Sequence, residues 1–501
     1  MTKILMVAPE LARVAMVGGI AEYLLGLSGA LLQQGHDVRI ALPHYGWLAQ
    51  ELELEVLHDR LPVPLGLGSS TVTEVLRANL TLNNKDAHQL PVYLLGGHTH
   101  FASARRPAHI YTWPNHEPWV VFNKAVMEWI EVSDWKPDIV HCHDAHAAMI
   151  PVYVRDAQEK APHKSIAQVR TVLTIHNLLN QGKGAPELVS FAGLYQGWFN
   201  PDGLEFYGYT NVLKAGILHA DQVNAVSPTY AREICHSSQH GFGLENVLDF
   251  VRKQGRLRGI LNGLDEERWQ LEGLHYTGSN EDIEILEAVK DTARQRWYKR
   301  WGWKQDNQPV FMFRSRWDNQ KGILLLAECM EKLTELARCI MVTWGTPGHN
   351  PDQTRAWNKL QQLAQSRPHQ FLLNPEGVGG INGTLTHYIL ADFVLMPSTY
   401  EPCGLVQLET QRCGVIPVIH NTGGLSDTVF EQHIPNRPTP NGFVFHHMEP
   451  EHYLASVRRA IATFHDTERF NEFRKHVLQQ RNSWNDRIAS YESLYEATIP
   501  Q

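Results

Sequence analysis

Residues Met396 to Asp427 read M-P-S-T-Y-E-P-C-G-L-V-Q-L-E-T-Q-R-C-G-V-I-P-V-I-H-N-T-G-G-L-S-D, and they determine how the rest of the chain is interpreted. The stretch begins at the end of an apolar strand, Phe393 to Met396. A helix is predicted from Gly404, because apolar positions then recur at a near-helical spacing until Gly414. A second apolar strand, Ile416 to Ile419, follows. Strand, helix and strand in this order are typical of an α/β unit with a parallel sheet.

The turn before this helix carries a carboxylate, Glu401, and a second carboxylate, Glu409, lies eight positions later. The free N–H groups at a helix start attract anions such as a diphosphate, and Gly423-Gly424 lets the backbone approach a ligand closely. Two carboxylates at this spacing could hold a sugar and a ribose through their hydroxyls. The alternative is an ordinary strand, turn and helix without a ligand.

Glu-Pro-Cys-Gly-Leu at 401–405, followed by Thr-Gly-Gly-Leu at 422–425, resembles the nucleotide-sugar site of the bacterial glycogen and plant starch synthases, glycosyltransferase family 5. The resemblance implies that Glu401 acts in catalysis. It also implies a set of donor-binding residues in the same stretch. These are Cys403, Gly404, Leu405, Glu409, Thr422, Gly423 and Gly424.

The composition of the whole chain narrows the class of protein. The 501 residues suffice for two or three domains, and a net charge of −8 with scattered Lys and Arg gives no basis for binding nucleic acid or a membrane surface. The six cysteines include no C-x-x-C pair, so neither a zinc ribbon nor a disulfide framework is expected. We also expect no signal peptide and no transmembrane helix, because the apolar runs are too short. A cytoplasmic location is therefore expected.

The N-terminal segment predicts the opening of a doubly wound sheet. A strand, Lys3 to Pro9, is followed by Gly18-Gly19, a helix from about Ile20 to Gln34, and a strand from Val38 to Leu42. Ligands of such sheets lie beyond the carboxyl ends of the strands, and a Gly-Gly loop before a helix can hold a phosphate. A simple tight turn is the alternative interpretation of Gly18 and Gly19.

The chain departs from the family at two positions that carry a cation in its relatives. Glycogen and starch synthases carry Lys-x-Gly-Gly-Leu where this chain has Met16-Val17-Gly18-Gly19-Ile20, and the family's lysine pairs with the donor diphosphate. The family's usual arginine before Glu-Pro-Cys-Gly is Thr399 here. One lost charge-assisted contact to phosphate costs about 1.5 to 3 kcal/mol, which weakens an enzyme without necessarily abolishing its activity.

Two further strand ends carry polar residues. The strand ending at Asp138 to Val140 leads into His141-Cys142-His143-Asp144-Ala145-His146. A metal site is not expected there, because ligands bunched on one turn cannot all face one ion and no second cluster follows. The strand Thr171 to Ile175 leads into His176, which by itself would be a structural hydrogen-bonding residue. The family resemblance implies instead that Asp144 and His176 are catalytic: Asp144 holds the transferred sugar, and His176 orients it and stabilises its developing positive charge.

The second half of the chain begins near Gly255 to Trp269, where Asn262 matches an asparagine that lies near the sugar in the family. A new α/β unit starts with the strand Pro309 to Arg314. Arg316 and Lys321 then lie on a loop before a helix and suit a diphosphate, arginine through a bidentate fork and lysine as a point charge. They resemble the family's Arg…Lys-Gly pair, and a solvated basic loop is the alternative.

The resemblance implies a GT-B fold, an α/β architecture of two Rossmann-like domains facing a cleft. The expected divisions are an N-terminal domain, 1–255, a nucleotide-sugar-binding domain, 256–478, and a C-terminal helix, 479–501, that crosses back to the N-terminal domain. The expected reaction is the transfer of glucose from ADP-glucose to the non-reducing end of an α-1,4-glucan, with retention at the anomeric carbon. No Asp-x-Asp occurs, so neither a metal nor a cofactor is expected.

Two other functions remain open from the sequence. One is a related retaining glycosyltransferase with a different nucleotide sugar or acceptor, which the missing lysine and Glu409 favour. The other is a glucan-binding or regulatory protein with weak catalysis, which Met16 and Thr399 favour and the presence of Arg316 and Lys321 opposes. The expected partners are accordingly a nucleotide-sugar donor and an α-glucan, with no nucleic acid and no membrane.

Overall fold

The computed structural model describes residues 1–66, 68–82, 87–96, 101–112, 115–345, 347–348, 350–375, 380–432 and 439–499. The chain forms two compact units. Unit 1 comprises Met1–Gly263 and Trp484–Gln501, and unit 2 comprises Leu264–Ser483. The division into domains at residues 255 and 478 stays a prediction.

Unit 1 is organised around a large sheet with helices before and after its parallel strands, as the alternation of apolar runs and helical patterns predicted. Its strands are β1 (Lys3–Val7), β2 (Asp37–Pro43), β3 (Glu55–Pro64), β4 (Ser70–Thr81), β5 (Gln89–Leu95), β6 (Ile139–His143), β7 (Arg170–Ile175), β8 (Lys183–Gly184), β9 (Glu205–Phe206), β10 (Tyr209–Asn211), β11 (Gln222–Ala225) and β12 (Leu257–Gly259). The large sheet has the order β12-β11-β7-β6-β1-β2-β5-β4-β3, while β8, β10 and β9 form a small separate sheet.

One part of this sheet differs from the prediction. The poorly periodic sequence of residues 50 to 110 predicts a mixed segment of short strands, but β3 and β4 are ten and twelve residues long and pair antiparallel. The register between them shifts twice, between Val56 and His58 and between His58 and Leu61. Each shift interrupts the alternation of inward and outward side chains, so the period-2 pattern of a long strand is broken in the sequence.

The helices of unit 1 cover its parallel strands. They are α1 (Gly19–Gln33), α2 (Glu117–Val132), α3 (Asp144–Ala147), α4 (Met149–Lys160), α5 (Glu187–Phe191), α6 (Val212–His219), α7 (Pro228–His236), α8 (Ser238–Gly241) and α9 (Glu245–Lys253). The helix predicted from Ile20 to Gln34 is α1. The sequence from Val120 to Val132 also predicts a helix, and it forms the C-terminal part of α2.

Unit 2 has a parallel sheet of the order β15-β14-β13-β16-β17-β18 in the described part of the chain. Its strands are β13 (Val310–Arg316), β14 (Arg338–Trp344), β15 (Phe371–Leu373), β16 (Phe393–Met396), β17 (Ile416–His420) and β18 (Phe443–Phe445). Its helices are α10 (Asn280–Trp301), α11 (Ile323–Leu336), α12 (Pro351–Ser366), α13 (Gly380–Leu390), α14 (Val406–Gln411), α15 (Gly423–Thr428), α16 (Pro450–His465) and α17 (Thr467–Leu478).

The last helix, α18 (Ile488–Glu496), belongs to unit 1 although it follows unit 2 in the chain. Tyr491 receives a hydrogen bond from the Tyr23 hydroxyl of α1 at 3.0 Å, and the Tyr495 hydroxyl lies 3.0 Å from Nδ1 of His141 in β6. Both tyrosines are buried. The C-terminal helix therefore completes the core of the N-terminal sheet.

Within the described residues, no helix combines the length and apolar character that a membrane span requires.

Candidate functional site

The strand order places two candidate sites, one in each unit. In unit 1 the order reverses direction between β1 and β6, and in unit 2 it reverses between β13 and β16. Ligands of open α/β sheets bind beyond the carboxyl ends of the strands at such points. Asp144 directly follows β6, and Lys321 and Glu401 follow β13 and β16.

Asp144 is held in an unusual backbone conformation at the start of α3. Its φ is 53°, in the left-handed region that aspartate adopts more readily than most residues. The Oδ1 atom accepts a hydrogen bond from the N–H of His176 at 2.7 Å and a longer one from the N–H of Asn177 at 3.4 Å. Burial raises the pKa of this carboxyl to about 7, against the lowering effect of the two N–H donors. Asp144 therefore fixes the backbone that carries His176.

The rings of His176 and His143 form a buried pair beside this carboxylate. His143 Nδ1 lies 3.1 Å from His176 Nε2. Burial lowers the pKa of His176 to about 3 and lowers that of His143 well below its usual value, so both imidazoles are neutral near pH 7. His143 was not singled out from the sequence, because its role depends on the register between β6 and β7.

The structure gives no support to a metal site at His141 to His146. The two ring nitrogens of His141 contact the Tyr495 hydroxyl at 3.0 Å and the Thr174 hydroxyl at 2.7 Å. Across the described residues there is no cluster of three His, Cys, Asp or Glu side chains suited to binding a metal ion.

The Gly18-Gly19 loop already has an anionic partner within the chain. The carboxylate Oε2 of Glu10 accepts hydrogen bonds from the N–H groups of Val17 at 2.5 Å and of Gly18 at 2.6 Å. Glu10 is buried and also accepts a hydrogen bond from the Tyr111 hydroxyl. The N–H of Gly18, which was expected to face a phosphate, is thus engaged by Glu10, while Gly19 begins α1. Glu10 follows a buried strand, and that position could have identified it from the sequence.

Unit 1 contains two other polar features, a buried amide and a cavity. Asn262 follows β12 and is buried, and its Oδ1 atom has no hydrogen-bond partner among the described residues. His146, two residues after Asp144, lines a cavity of about 200 Å³. The cavity is lined by Tyr111, Asn115, His116, Trp119, His146, Asn180, Gly182 and Lys183.

Unit 2 brings together two of the residues predicted from the sequence. Lys321 Nζ donates a hydrogen bond to Oε2 of Glu401 at 2.6 Å, and the Ser398 hydroxyl donates to the same oxygen at 2.9 Å. The Glu401 side chain is 7% exposed and that of Lys321 is 20% exposed. Arg316 ends β13 with a half-exposed side chain, and its Nη2 lies 4.0 Å from Oδ2 of Asp318. A partly buried cation and carboxylate therefore lie at the carboxyl edge of this sheet.

The glycine pair Gly423-Gly424 packs against the chain itself. A Cβ atom on Gly423 would lie 1.9 Å from the carbonyl oxygen of Glu401, and one on Gly424 would lie 2.3 Å from that of Cys403. The N–H of Gly424 also donates to the Glu401 carbonyl at 3.0 Å. The sequence predicted that another group approaches the Gly423-Gly424 backbone closely. In the structure, the backbone of the segment that carries Glu401 lies against these two glycines.

Glu409 lies on a different element from Glu401. The predicted helix from Gly404 starts only at Val406 in the structure, because Gly404 adopts φ 76°. Glu409 is in α14, and its Oε2 accepts a hydrogen bond from the buried Tyr388 hydroxyl at 2.5 Å. Leu405, Cys403 and Thr422 lie in the loops that flank α14 and α15.

The two positions at which the sequence departs from the family pattern, Met16 and Thr399, have different surroundings. Met16 is 44% exposed beside the Gly18 loop. Thr399 is tied to the Lys321 loop, because its N–H and its hydroxyl both donate to the carbonyl of Gln320, at 2.8 and 3.2 Å. Thr399 therefore makes a structural contact in the position where the family carries an arginine.

Replacing Gly423 with alanine is expected to destabilise unit 2 and to lower catalytic activity, because the new Cβ would displace the Glu401 backbone. Gly35→Ala is a matched control, since Gly35 has φ 83° and nothing within 4 Å of its added Cβ. The left-handed backbone costs about 1 to 2 kcal/mol in both variants. Thermal unfolding and transferase assays measure the difference, and equal losses in the two variants would contradict the role of this packing.

Comparisons with known proteins agree with this geometry. Residues 3–250 match the family model of the starch synthase catalytic domain, and residues 295–476 match that of the glycosyl transferases group 1. A glycogen synthase of Geotalea daltonii is 33% identical over 509 residues, covering 99% of each chain. A glycogen synthase of Fervidobacterium nodosum is 32% identical, covering 99% of this chain and 98% of the relative.

Solved structures give the same fold. The catalytic domain of starch synthase IV from Arabidopsis thaliana, bound to ADP and acarbose, superposes with a TM-score of 0.84 at 27% identity and covers 99% of each chain. A sucrose-phosphate synthase from Thermosynechococcus elongatus superposes with a TM-score of 0.60 at 16% identity, which shows the fold alone, with coverage of 99% of this chain and 98% of that chain.

The fold and the residues at the strand ends define a glycosyltransferase of the GT-B class. Within that class, the chain belongs to the glycogen and starch synthase family and is a hexosyltransferase. The predictions of fold class and of family are confirmed.

Proposed function

We propose that the chain transfers glucose from ADP-glucose to the non-reducing end of an α-1,4-glucan, with retention at the anomeric carbon. Family membership supports the glucan synthase reaction, and the ADP in the Arabidopsis thaliana structure supports adenine as the base. The observation that carries the proposal is the ion pair of Lys321 and Glu401 at the carboxyl edge of the unit 2 sheet.

The proposed chemistry assigns the leaving group to the cations of unit 2. The bond between the anomeric carbon and the diphosphate oxygen breaks, and that oxygen keeps the electron pair. Lys321 and Arg316 then neutralise the growing negative charge, and N–H groups at Gly19 and Gly404 add partial positive charge. An acceptor hydroxyl oxygen bonds to the anomeric carbon, and its proton passes to an oxygen of the departing diphosphate.

The sugar becomes positively charged as the diphosphate leaves. In the proposal, the Glu401 carboxylate and the His176 carbonyl stabilise this oxocarbenium-like charge, while Asp144 accepts hydrogen bonds from sugar hydroxyls. Asn262 is also assigned to the sugar, and its buried, unpartnered Oδ1 supports a polar ligand at that position. Excluding water from the reacting centre would prevent hydrolysis of the donor.

The donor contacts are proposed to involve the segments around both glycine pairs. Gly18, Gly19, Cys403, Gly404, Leu405, Glu409, Thr422, Gly423 and Gly424 keep their assignment to the donor in this proposal. The α-glucan is assigned to unit 1, where the cavity at His146 has aromatic and polar walls suited to sugar rings. Binding of nucleic acid or a membrane forms no part of the proposal, and the proposed location is the cytoplasm.

The donor is tested by incubating the purified protein with glycogen and either ADP-glucose or UDP-glucose. We expect release of ADP with elongation of the glucan, and at least tenfold slower release of UDP. Faster turnover of UDP-glucose would overturn the assignment of the base. Retained glycogen binding without turnover of either donor would instead favour the weakly catalytic, glucan-binding alternative.

A further inference from the structure

The contact between His143 and His176 follows from the register of two parallel strands. His143 ends β6 and lies opposite Thr174 of β7, and His176 follows Thr174 by two residues. Side chains two residues apart in an extended segment share a face of the sheet. The two imidazoles therefore meet, with Nδ1 of His143 at 3.1 Å from Nε2 of His176.

Packing holds both rings in place. Tyr23 meets His176 edge to face, with ring centroids 4.6 Å apart and planes at 88°. On the other side of the pair, His141 lies against His143 with centroids 4.4 Å apart. Because both rings are held by aromatic neighbours, neither can rotate freely to exchange its nitrogens.

Burial lowers the pKa of both imidazoles, so both are neutral near pH 7 and each ring carries one N–H proton. One proton therefore lies between the two facing nitrogens. Either His143 donates from Nδ1 to His176, or His176 donates from Nε2 to His143. In the second arrangement the proton of neutral His143 lies on Nε2. That nitrogen is buried and has no hydrogen-bond partner among the described residues.

An unpaired buried N–H group is rarer than an unpaired buried acceptor. Burying the N–H group without a partner costs the full free energy of its desolvation. The first arrangement avoids this cost, because the proton of His143 then lies on Nδ1 and is donated to His176. His176 consequently accepts at Nε2 and carries its own proton on Nδ1. In the described part of the chain, no residue forms a hydrogen bond with Nδ1 of His176.

We infer that His143 is a positioning residue that fixes His176 as its Nδ1–H tautomer, so that His176 presents a hydrogen-bond donor to a hydroxyl oxygen of the transferred sugar. This inference rests on the proposed function for the identity of the ligand. It complements Asp144, whose carboxylate can only accept hydrogen bonds from the sugar. One histidine and one carboxylate thus provide a donor and an acceptor on adjacent strand ends.

The tautomer is measured on protein labelled with nitrogen-15 in histidine. Two-bond proton–nitrogen correlation spectra distinguish a protonated from an unprotonated ring nitrogen, and the His176 signals are assigned from their loss in His176→Asn. At pH 7 we expect a protonated Nδ1 and an unprotonated Nε2 in His176. A proton on Nε2 would overturn the inference. This readout needs no substrate, so it can succeed even when the proposed transferase function fails.

Two variants of His143 separate positioning from simple packing. His143→Asn keeps an amide donor near the position of Nδ1, whereas His143→Leu removes the donor and retains an apolar side chain. We expect kcat to fall about tenfold in His143→Leu, with mixed tautomers at His176, and to stay within about threefold of the wild type in His143→Asn. An unchanged His176 tautomer in folded His143→Leu would contradict the role. If His143→Leu does not fold, the spectra of the wild type and His143→Asn decide.

Discussion

Replacing Lys321 with alanine is expected to lower kcat/KM for the nucleotide-sugar donor about 10- to 100-fold. The variant loses the cation proposed to meet the diphosphate, and a charge-assisted hydrogen bond is worth about 1.5 to 3 kcal/mol. It also leaves the Glu401 carboxylate buried with Ser398 as its remaining side-chain donor among the described residues. Removing one partner of a buried charge pair costs about 2 to 5 kcal/mol.

Three variants test this explanation. Lys332→Ala removes an exposed lysine from α11 and should leave kcat/KM unchanged. Lys321→Arg keeps the positive charge and should retain more activity than Lys321→Ala. The double variant Lys321→Ala with Glu401→Gln should regain stability, because no unpaired charge remains, but should stay inactive. Near-normal turnover in well-folded Lys321→Ala would disprove the assignment of Lys321 to the leaving group.

Asp144→Asn is expected to make the protein more stable at pH 8 while lowering its activity about 10- to 100-fold. Burial raises the pKa of the Asp144 carboxyl to about 7, against a usual value of 3.8. The folded state therefore binds this proton more tightly than the unfolded state does. The stabilisation is fully present below pH 3.8, decreases as the pH rises, and is lost above about pH 7.

The size of this effect follows from the difference between the pKa values of the folded and unfolded states. That difference corresponds to a change of about 4 kcal/mol in the free energy of unfolding between pH 4 and pH 8. Asparagine tolerates the left-handed backbone and still accepts the N–H of His176, but it does not ionise. The unfolding temperature of Asp144→Asn minus that of the wild type should therefore be larger at pH 8 than at pH 5. The same difference at both pH values would contradict the ionisation of Asp144 in the folded protein.

The loss of activity in Asp144→Asn has a separate cause. A carboxylate accepts stronger hydrogen bonds from sugar hydroxyls than an amide oxygen does, because a hydrogen bond to a charged group contributes about 1.5 to 3 kcal/mol and a neutral one about 0.5 to 1.5 kcal/mol. In the wild type, kcat/KM should rise between pH 6 and pH 8 as Asp144 ionises, and this rise should be absent in the variant. Steady-state rates across that range measure both effects.

The sequence predicted those parts of the fold that depend on local pattern. Buried parallel strands are short apolar runs, so β1, β2, β7, β13, β16 and β17 were recognised, as was α1 between β1 and β2. Asp144, His176 and Glu401 follow such strands, and the family resemblance singled them out as candidates. The long strands β3 and β4 were missed, because their irregular register removes the alternating pattern.

Contacts between segments that are distant in the chain could not be predicted from the sequence. The pairing of His143 with His176 depends on how β6 and β7 are aligned, and the contact of Glu10 with Gly18 depends on the path of a turn. Gly423 and Gly424 were recognised as a place of close backbone approach, but a glycine does not reveal which group comes close. Family resemblance supplied roles for His176, Gly18 and the Gly423-Gly424 pair, and the structure supplied their partners.

The placement of α18 in unit 1 constrains the order of folding during synthesis. The ribosome makes Tyr23 and His141 early, but their partners Tyr491 and Tyr495 emerge only after all of unit 2 has been translated. Until then, the nascent N-terminal sheet exposes the apolar surface that this helix covers. Its maturation therefore waits until α18 has left the ribosome. A chain truncated before residue 484 lacks Tyr491 and Tyr495, which pack behind the aromatic neighbours of the histidine pair, Tyr23 and His141.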